Sequence, residues 1–329
     1  MIIRAKSPLR ISFGGGGTDI PPYCDQFGGA VLSTTINKYA YVTLIPHHQP
    51  QITIKSLDFN QELTLKNPQD LQPNGQLDLI KSVIKVFQLP FSFDLYIHCD
   101  ASPGSGLATS SSITVALISA FSQYMGKSLS NYDVAELAYF IERKCAGLPG
   151  GKQDQFAAAF GGFNFIEFYQ DSTVVNTLRL DSNVLNELNY RLLLCDLGRN
   201  RENQSKPQKQ LSQKSETQLD QLKQIAIEMK KVLLKGQLDT FGFLLHQAWL
   251  TKQQTHQQIS DNRVDTLYTT AINHGAYGGK VLGAAGGGYM LLYCQFDRKP
   301  EISQALSQLN CRLIDFSFDL SGVQSWIVL

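Results

Sequence analysis

At 329 residues the chain is long enough for one large domain or two smaller ones. Its 43% hydrophobic and 17% charged content is that of an ordinary globular protein. A formal net charge of +1 leaves no global field to draw it to nucleic acid or to a membrane surface. The chain opens M-I-I-R-A-K and reaches Arg10 without an apolar core of signal-peptide length. No window approaches the run of ~20 apolar residues needed to span a bilayer, so a cytoplasmic protein is expected. Six cysteines (Cys24, Cys99, Cys145, Cys195, Cys294, Cys311) are scattered with no C-x-x-C pair, which favours reduced thiols over disulfides or zinc. His47-His48 has no third ligand nearby and reads as a surface turn.

Taken in chain order, the first notable stretch is Pro8 to Asp19, P-L-R-I-S-F-G-G-G-G-T-D, a glycine-rich turn beside an apolar run. Arg10, bracketed by Leu9, Ile11 and Phe13, is placed on the polar face of a strand. Val31 to Thr35, Tyr39 to Ile45, Gln51 to Ser56, Glu62 to Leu65 and Phe93 to His98 are short β-prone runs bounded by turns. Leu79 to Phe87 reads as a helix. Pro103 to Ser112, P-G-S-G-L-A-T-S-S-S, then feeds the apolar helix Ile113 to Met125. Gly104 and Gly106 let the backbone approach a ligand, the first amides of a helix lack intrahelical partners, and the hydroxyls of Thr109, Ser110, Ser111 and Ser112 add donors. The turn is not a Walker A loop, since no G-K-[ST] follows; alone it fits an anion site and a plain helix cap equally well.

Ser130 to Cys145 is a helix opening on a Ser130–Asp133 capping box and stopping at Gly147. Phe163 to Phe168 and Val174 to Leu180 read as a hairpin. Composition shifts near residue 185. Beyond it come a buried strand (Arg191 to Leu197), a polar Gln-rich segment (Arg199 to Gln213) and helices at Gln218 to Leu234, Leu238 to Thr251 and Val264 to His274. Strands follow at Tyr289 to Gln295, Arg312 to Phe318 and Gln324 to Val328, with a helix at Ile302 to Leu309. The last glycine-rich stretch, Lys280 to Gly288, K-V-L-G-A-A-G-G-G, leads into the strand from Tyr289.

Three glycine-rich turns in this order and spacing resemble the three motifs of the GHMP kinases. Pro103 to Ser110 fits the family's central P-x-x-x-G-L-[GSA]-[ST]-S. The resemblance implies an α+β, two-domain GHMP kinase fold. Residues 1–185 would form a ribosomal protein S5 domain 2-like ATP-binding domain with a left-handed crossover, and residues 186–329 a ferredoxin-like domain. Within the family the likeness is to bacterial sugar kinases that phosphorylate D-glycero-D-manno-heptose 7-phosphate at its anomeric hydroxyl, for nucleotide-activated heptose biosynthesis. It rests on Gly15 to Asp19, Tyr23-Cys24, Gly28-Gly29 and Gly147 to Phe165. The galactokinase branch carries Glu-His where this chain has Gly16-Gly17, which argues against galactose.

Phosphoryl transfer needs charge neutralisation, a positioned metal ion and an oriented nucleophile. The resemblance makes Pro103, Gly104, Ser105, Gly106, Leu107, Ala108, Thr109, Ser110 and Ser111 the ATP loop, and Ser110 and Glu142 the Mg²⁺ ligands. Asp154 becomes the carboxylate that takes or orients the proton of the attacking hydroxyl, with Arg10 as its natural cationic partner. Without the motifs, Glu142 would read as a solvated helix-end acid. Gly17, Thr18 and Asp19 become sugar-side residues, as does Gly287 in the third glycine run. A phosphate on the sugar would need cations, and Arg199 and Arg201, with Lys206 and Lys209, supply them or are simply a solvated polar loop. The expected ligands are thus ATP, Mg²⁺ and a sugar phosphate, with a homodimer left open. Competing readings are a kinase for a free sugar such as L-fucose and a non-catalytic sugar- and ATP-binding regulator. The presence of Ser110, Glu142 and Asp154 together favours catalysis. A diphosphomevalonate decarboxylase fits the Gly15 to Asp19 turn poorly.

Overall fold

The computed structural model describes residues 1–58, 60–90, 92–102, 104–198, 213–255, 260–283 and 288–328. It opens with β1 (Ile2–Gly14), α1 (Tyr23–Phe27), β2 (Gly29–Pro46), β3 (Ile52–Ser56), β4 (Gln61–Leu65) and a 3₁₀ turn, Pro68–Leu71. α2 (Asp78–Phe87), β5 (Phe93–Cys99), α3 (Thr109–Tyr124) and α4 (Asn131–Phe140) follow, and α4 runs into a π-helical turn, Ile141–Cys145. Next come α5 (Gln153–Phe160), β6 (Asn164–Phe168), β7 (Thr173–Thr177), α6 (Ser182–Arg191) and β8 (Leu192–Asp196). The chain closes with α7 (Gln213–Leu234), α8 (Leu238–Thr255), α9 (Asn262–Asn273), β9 (Ala276–Val281), β10 (Tyr289–Cys294), α10 (Lys299–Gln308), β11 (Arg312–Ile314), β12 (Phe318–Asp319) and β13 (Gln324–Val328).

A nine-stranded sheet has the order β13-β1-β2-β5-β3-β4, with β6 and β12 also paired to β2 and β7 paired to β6. Only β3–β5 is parallel. The two runs read from sequence between Val31 and Ile45 are one long strand, β2. It pairs with β6 at its start, β12 in the middle and β5 at its end. At the end of the chain β13 pairs with β1. Residues 318–319 and 324–328 thus lie in the sheet of the first half, on the near side of a division at 185/186.

A second sheet has the order β11-β8-β10-β9, antiparallel throughout. Its period-two alternation serves two cores. Leu192, Leu194, Leu291 and Tyr293 join the main core, to which Ala226, Met229, Phe241 and Leu245 of α7 and α8 also belong. Leu193, Cys195, Met290 and Leu292 join a smaller core with Val264, Leu267, Ile302 and Leu306 of α9 and α10.

Three local features fix where the chemistry sits. α3 is apolar nearly all round and is buried from Thr109 to Ser122 with few breaks, so its N-terminus is held rigidly. The Ser130–Asp133 capping box forms, with Ser130 Oγ accepting from Asp133 N at 3.2 Å and Asp133 Oδ2 accepting from Ser130 N at 2.8 Å. α5 ends at Gly161, φ +67°, where a Cβ would come within 2.1 Å of the Ser321 carbonyl; glycine alone admits the returning chain end there.

Candidate active site

The phosphate-type loop ends on Ala108, which adopts a left-handed conformation (φ +66°) as N-cap of α3. Alanine has no side chain to cap a helix, and the first turn of α3 holds no acidic residue. Its leading amides therefore keep a positive end for an incoming anion. Gly104 (φ +78°) and Gly106 (φ +85°) shape the turn. A Cβ on Gly106 would lie 2.2 Å from the Leu282 carbonyl oxygen, and Gly288 N donates to Ser105 O at 3.0 Å. The third glycine stretch thus packs directly against the first turn of the loop. Pro103, Gly287, Arg199, Arg201, Lys206 and Lys209 fall outside the described residues.

Arg10, 3% exposed on β1, ties this loop to α5. Its Nη1 donates to Gly106 O at 2.7 Å, while Nε and Nη2 converge on Asp154 Oδ1 at 2.9 and 2.5 Å. Asp154 Oδ2 accepts no hydrogen bond from the described residues and the side chain is 27% exposed, so one carboxylate oxygen is held and the other is presented. The residue expected on the polar face of a strand is therefore buried, its charge matched across 144 positions of sequence.

Glu142, at the start of the π-helical turn, is 2% exposed. Its Oε2 accepts from Ser111 Oγ at 3.1 Å and lies 3.2 Å from Arg143 Nη1. Its Oε1 is buried with no partner among the described residues. Burial pushes this carboxyl up to about 7, against the opposing pull of Arg143 and Ser111. The serine touching Glu142 is Ser111, one position beyond the expected Ser110. Ser110 is partly exposed at the same helix start, and its carbonyl accepts from Thr114 Oγ1. A buried carboxylate with an orphaned oxygen, beside hydroxyls at the phosphate loop, suits a hard divalent cation that takes its remaining ligands from phosphate and water. The residues present fit Mg²⁺.

Gly17, Thr18 and Asp19 turn out to build the floor of the site. Thr18 is fully buried, and its hydroxyl bonds Gly15 O at 2.8 Å, Ala30 O at 3.1 Å and Ala30 N at 3.0 Å, which commits it to holding the turn. Asp19, 1% exposed, accepts from Gly17 N at 3.0 Å, Gln153 N at 3.0 Å and Gln153 Nε2 at 3.1 Å. It anchors the start of α5, one residue before Asp154. Gly151 is required beside it, since a Cβ there would come within 1.9 Å of Asp19 Oδ2.

Two lysines from the second half complete the surroundings. Lys252 of α8 donates to Gly16 O at 3.3 Å, and Lys280 of β9 donates to Phe13 O at 3.2 Å. Burial holds both below the ordinary lysine range. Asp19 and Asp154 oppose this at Lys252, whereas Lys252 and Arg10 add to it at Lys280. Lys252 sits in a polar T-K-Q-Q-T run with no sequence signal. Lys280 carried one, as the opening residue of the third glycine stretch.

The family description "GHMP kinases N terminal domain" matches residues 78–162. Over 98% of both chains, the sequence is 38% identical to the D-glycero-alpha-D-manno-heptose 7-phosphate kinase of Campylobacter jejuni subsp. jejuni serotype O:2. The crystal structure of a D-glycero-D-manno-heptose 1-phosphate kinase from Bacteriodes thetaiotaomicron superposes with a TM-score of 0.85 at 35% identity, covering 99% of each chain. Lactococcus lactis galactokinase complexed with galactose shares the fold, with a TM-score of 0.79 at 17% identity over 98% of this chain and 95% of that one. The chain belongs to the GHMP kinase family, and ATP use comes with that membership.

Proposed function

We propose that the protein transfers the γ-phosphoryl group of ATP to the anomeric hydroxyl of D-glycero-D-manno-heptose 7-phosphate, giving the 1,7-bisphosphate. The observation that carries the chemistry is Arg10 bridging the phosphate loop and Asp154 while leaving Asp154 Oδ2 presented. The loop and the N-terminus of α3 bind the nucleotide phosphates. Arg10 stabilises charge on the phosphoryl group in transit. Asp154 Oδ2 accepts the proton of the attacking hydroxyl. Glu142, with Ser110 or Ser111, would hold Mg²⁺, which when bound draws charge off the phosphate oxygens. The substrate class is supported by the names of the full-length relatives, which differ on whether the heptose carries its phosphate at position 7 or 1. On the same reading, residues 1–185 form an S5 domain 2-like unit, rejoined by β12 and β13, and the four-stranded sheet is the core of a ferredoxin-like unit.

The test is ADP release measured with both heptose phosphates and with neutral sugars including L-fucose. The heptose 7-phosphate should turn over fastest, and Asp154→Asn should keep ATP binding while kcat falls by roughly 10²-fold, the scale of general-base effects. Faster turnover of a neutral sugar, or near-normal kcat in Asp154→Asn, would overturn the substrate or the base respectively.

A further inference from the structure

Gly16 stands where a side chain has room and finds only polar neighbours. A Cβ there would meet Gln153 Nε2 at 3.5 Å, Lys252 Nζ at 3.6 Å and Ser12 Oγ at 3.7 Å, all ordinary contact distances. Those three groups come from three separate elements, α5, α8 and β1. Two of them, the amide nitrogen and the ammonium, can only donate. Around the same point, Ser12 Oγ and Gln153 Oε1 are buried with no partner among the described residues. Lys252 is a cation half-withdrawn from water whose ammonium makes, among the described residues, one hydrogen bond, a long one to the Gly16 carbonyl. Among the described residues it forms no ion pair, and the carboxylates of Asp19 and Asp154 act on it only through space. Gln153 Nε2 is already bonded to Asp19 Oδ1 at 3.1 Å, so what the space leaves unmet is the Gln153 Oε1 acceptor, the Ser12 hydroxyl and the remaining ammonium protons of Lys252. Buried polar groups without partners cost stability, and a ligand hydroxyl, which both donates and accepts, would satisfy them.

Resting on the kinase reading above, we propose that the space beside Gly16, walled by Ser12, Gln153 and Lys252, holds a hydroxyl oxygen of the acceptor sugar next to the attacking one, with Lys252 as its charged donor. The location supports this. The wall residue Gln153 of this space is held by Asp19 through both its backbone and side-chain amides and immediately precedes Asp154 on α5. An oxygen held there keeps the sugar within reach of Asp154 Oδ2. The missing side chain of Gly16 makes the room. In this subsite the second half of the chain reaches into the site formed by the first, and it reads the sugar itself, leaving any distant phosphate to other groups.

Two variants test it. Gly16→Ala meets no clash and Gly16 has no left-handed φ, so the variant should fold, yet its methyl occupies the oxygen's place. Lys252→Met keeps the aliphatic stem and removes the donor. Both should lower kcat/KM for the acceptor by about 10- to 100-fold, the worth of a charged hydrogen bond, while the KM for ATP stays within about twofold. Lys252→Met should also melt at the same temperature as the parent or higher, because a partly desolvated charge with no ion-pair partner among the described residues has gone. Parent turnover of an acceptor with both variants unchanged in kcat/KM overturns the subsite alone. So does a Lys252→Met protein that melts lower with unaltered kinetics, since that is a structural lysine. A parent inactive on every sugar and sugar phosphate overturns the kinase reading and the subsite with it.

Discussion

Glu142 shows what a single residue contributes when its surroundings are unfinished. Its folded carboxyl titrates near 7 against an ordinary 4.5, so folding disfavours the ionised form. The sign follows: with respect to this group the protein is most stable below pH 4.5, and that stability declines as pH rises through 7. The gap corresponds to about 3 kcal/mol. Glu142→Gln retains the shape and the Ser111 contact but cannot ionise. In metal-free buffer it should match the parent's unfolding midpoint at pH 5 and exceed it clearly at pH 8. A difference that is the same at both pH values would show that Glu142 is not held at the expense of stability. Legibility at this scale was uneven. Arg10, Asp154 and Glu142 stood beside motifs and could be picked out. Lys252 could not, because a lysine among glutamines and threonines looks like solvated surface until α8 is laid against the Gly16 turn. Asp19 and Thr18 stand in the first glycine motif, but their partners Gln153 and Ala30 lie 134 and 12 positions away, so only the fold reveals that they brace the site.

Among the elements, helices with a clean apolar period and a cap were legible, and those defined by tertiary contact were not. α4 announced itself through Ser130 and Asp133. α5 did not, since it is eight residues long, starts without a side-chain cap and is fixed from outside by Asp19. β9 contains Gly278 and Gly279, a poor strand by propensity. It forms by pairing with β10, and glycine is needed there because α8 passes so close that a Cβ on Gly278 would sit 2.4 Å from the Gly242 carbonyl oxygen. α6 had a readable cap, Asp181 accepting from Asn183 N at 2.8 Å, but too polar a sequence to declare a face. The same kind of contact joins the central and last glycine motifs, and it can be tested. Gly106→Ala incurs a left-handed φ cost and drives a methyl into the Leu282 carbonyl, whereas Gly126→Ala (φ +64°) has nothing within 4 Å. Urea unfolding should show a loss of about 1 kcal/mol for Gly126→Ala and about 3 kcal/mol for Gly106→Ala. ATP affinity should fall only in the latter, because Gly106 O must move off Arg10 Nη1. Equal losses in the two variants would mean that the Leu282 contact is slack.

At the scale of the whole molecule, the end of the chain controls the position of the proposed base. β12 and β13 return to β2 and β1, and the segment between them crosses the C-terminal end of α5. Val323 N donates to Ala159 O at 3.2 Å, Thr35 Oγ1 donates to Asp319 O at 2.6 Å, and Gly162 N donates to Thr35 Oγ1 at 2.6 Å. α5 is therefore clamped at both ends, by Asp19 at its start and by residues 319–323 at its finish, with Asp154 in its first turn. Gly322 is the tight point: a Cβ would lie 2.1 Å from Ala159 O and 2.7 Å from the Phe160 carbonyl carbon, both backbone atoms that cannot swing aside. Gly322 has no left-handed φ, so alanine adds only this collision. A helix of two turns moves as a rigid body, and the push should reach Asp154 as a displacement of some tenths of an ångström to about 1 Å. Misplacement of that size costs up to ~10²-fold in rate. Gly322→Ala, assayed well below its own melting temperature, should therefore lose kcat by at least about tenfold while binding ATP as the parent does. The phosphate loop leads into α3, and the Arg10 Nη1 bond to Gly106 O holds it from β1, so the loop stays in place while Asp154 shifts against Arg10. Unchanged kcat in a folded Gly322→Ala protein would show that the clamp is compliant and that Asp19 alone positions the base.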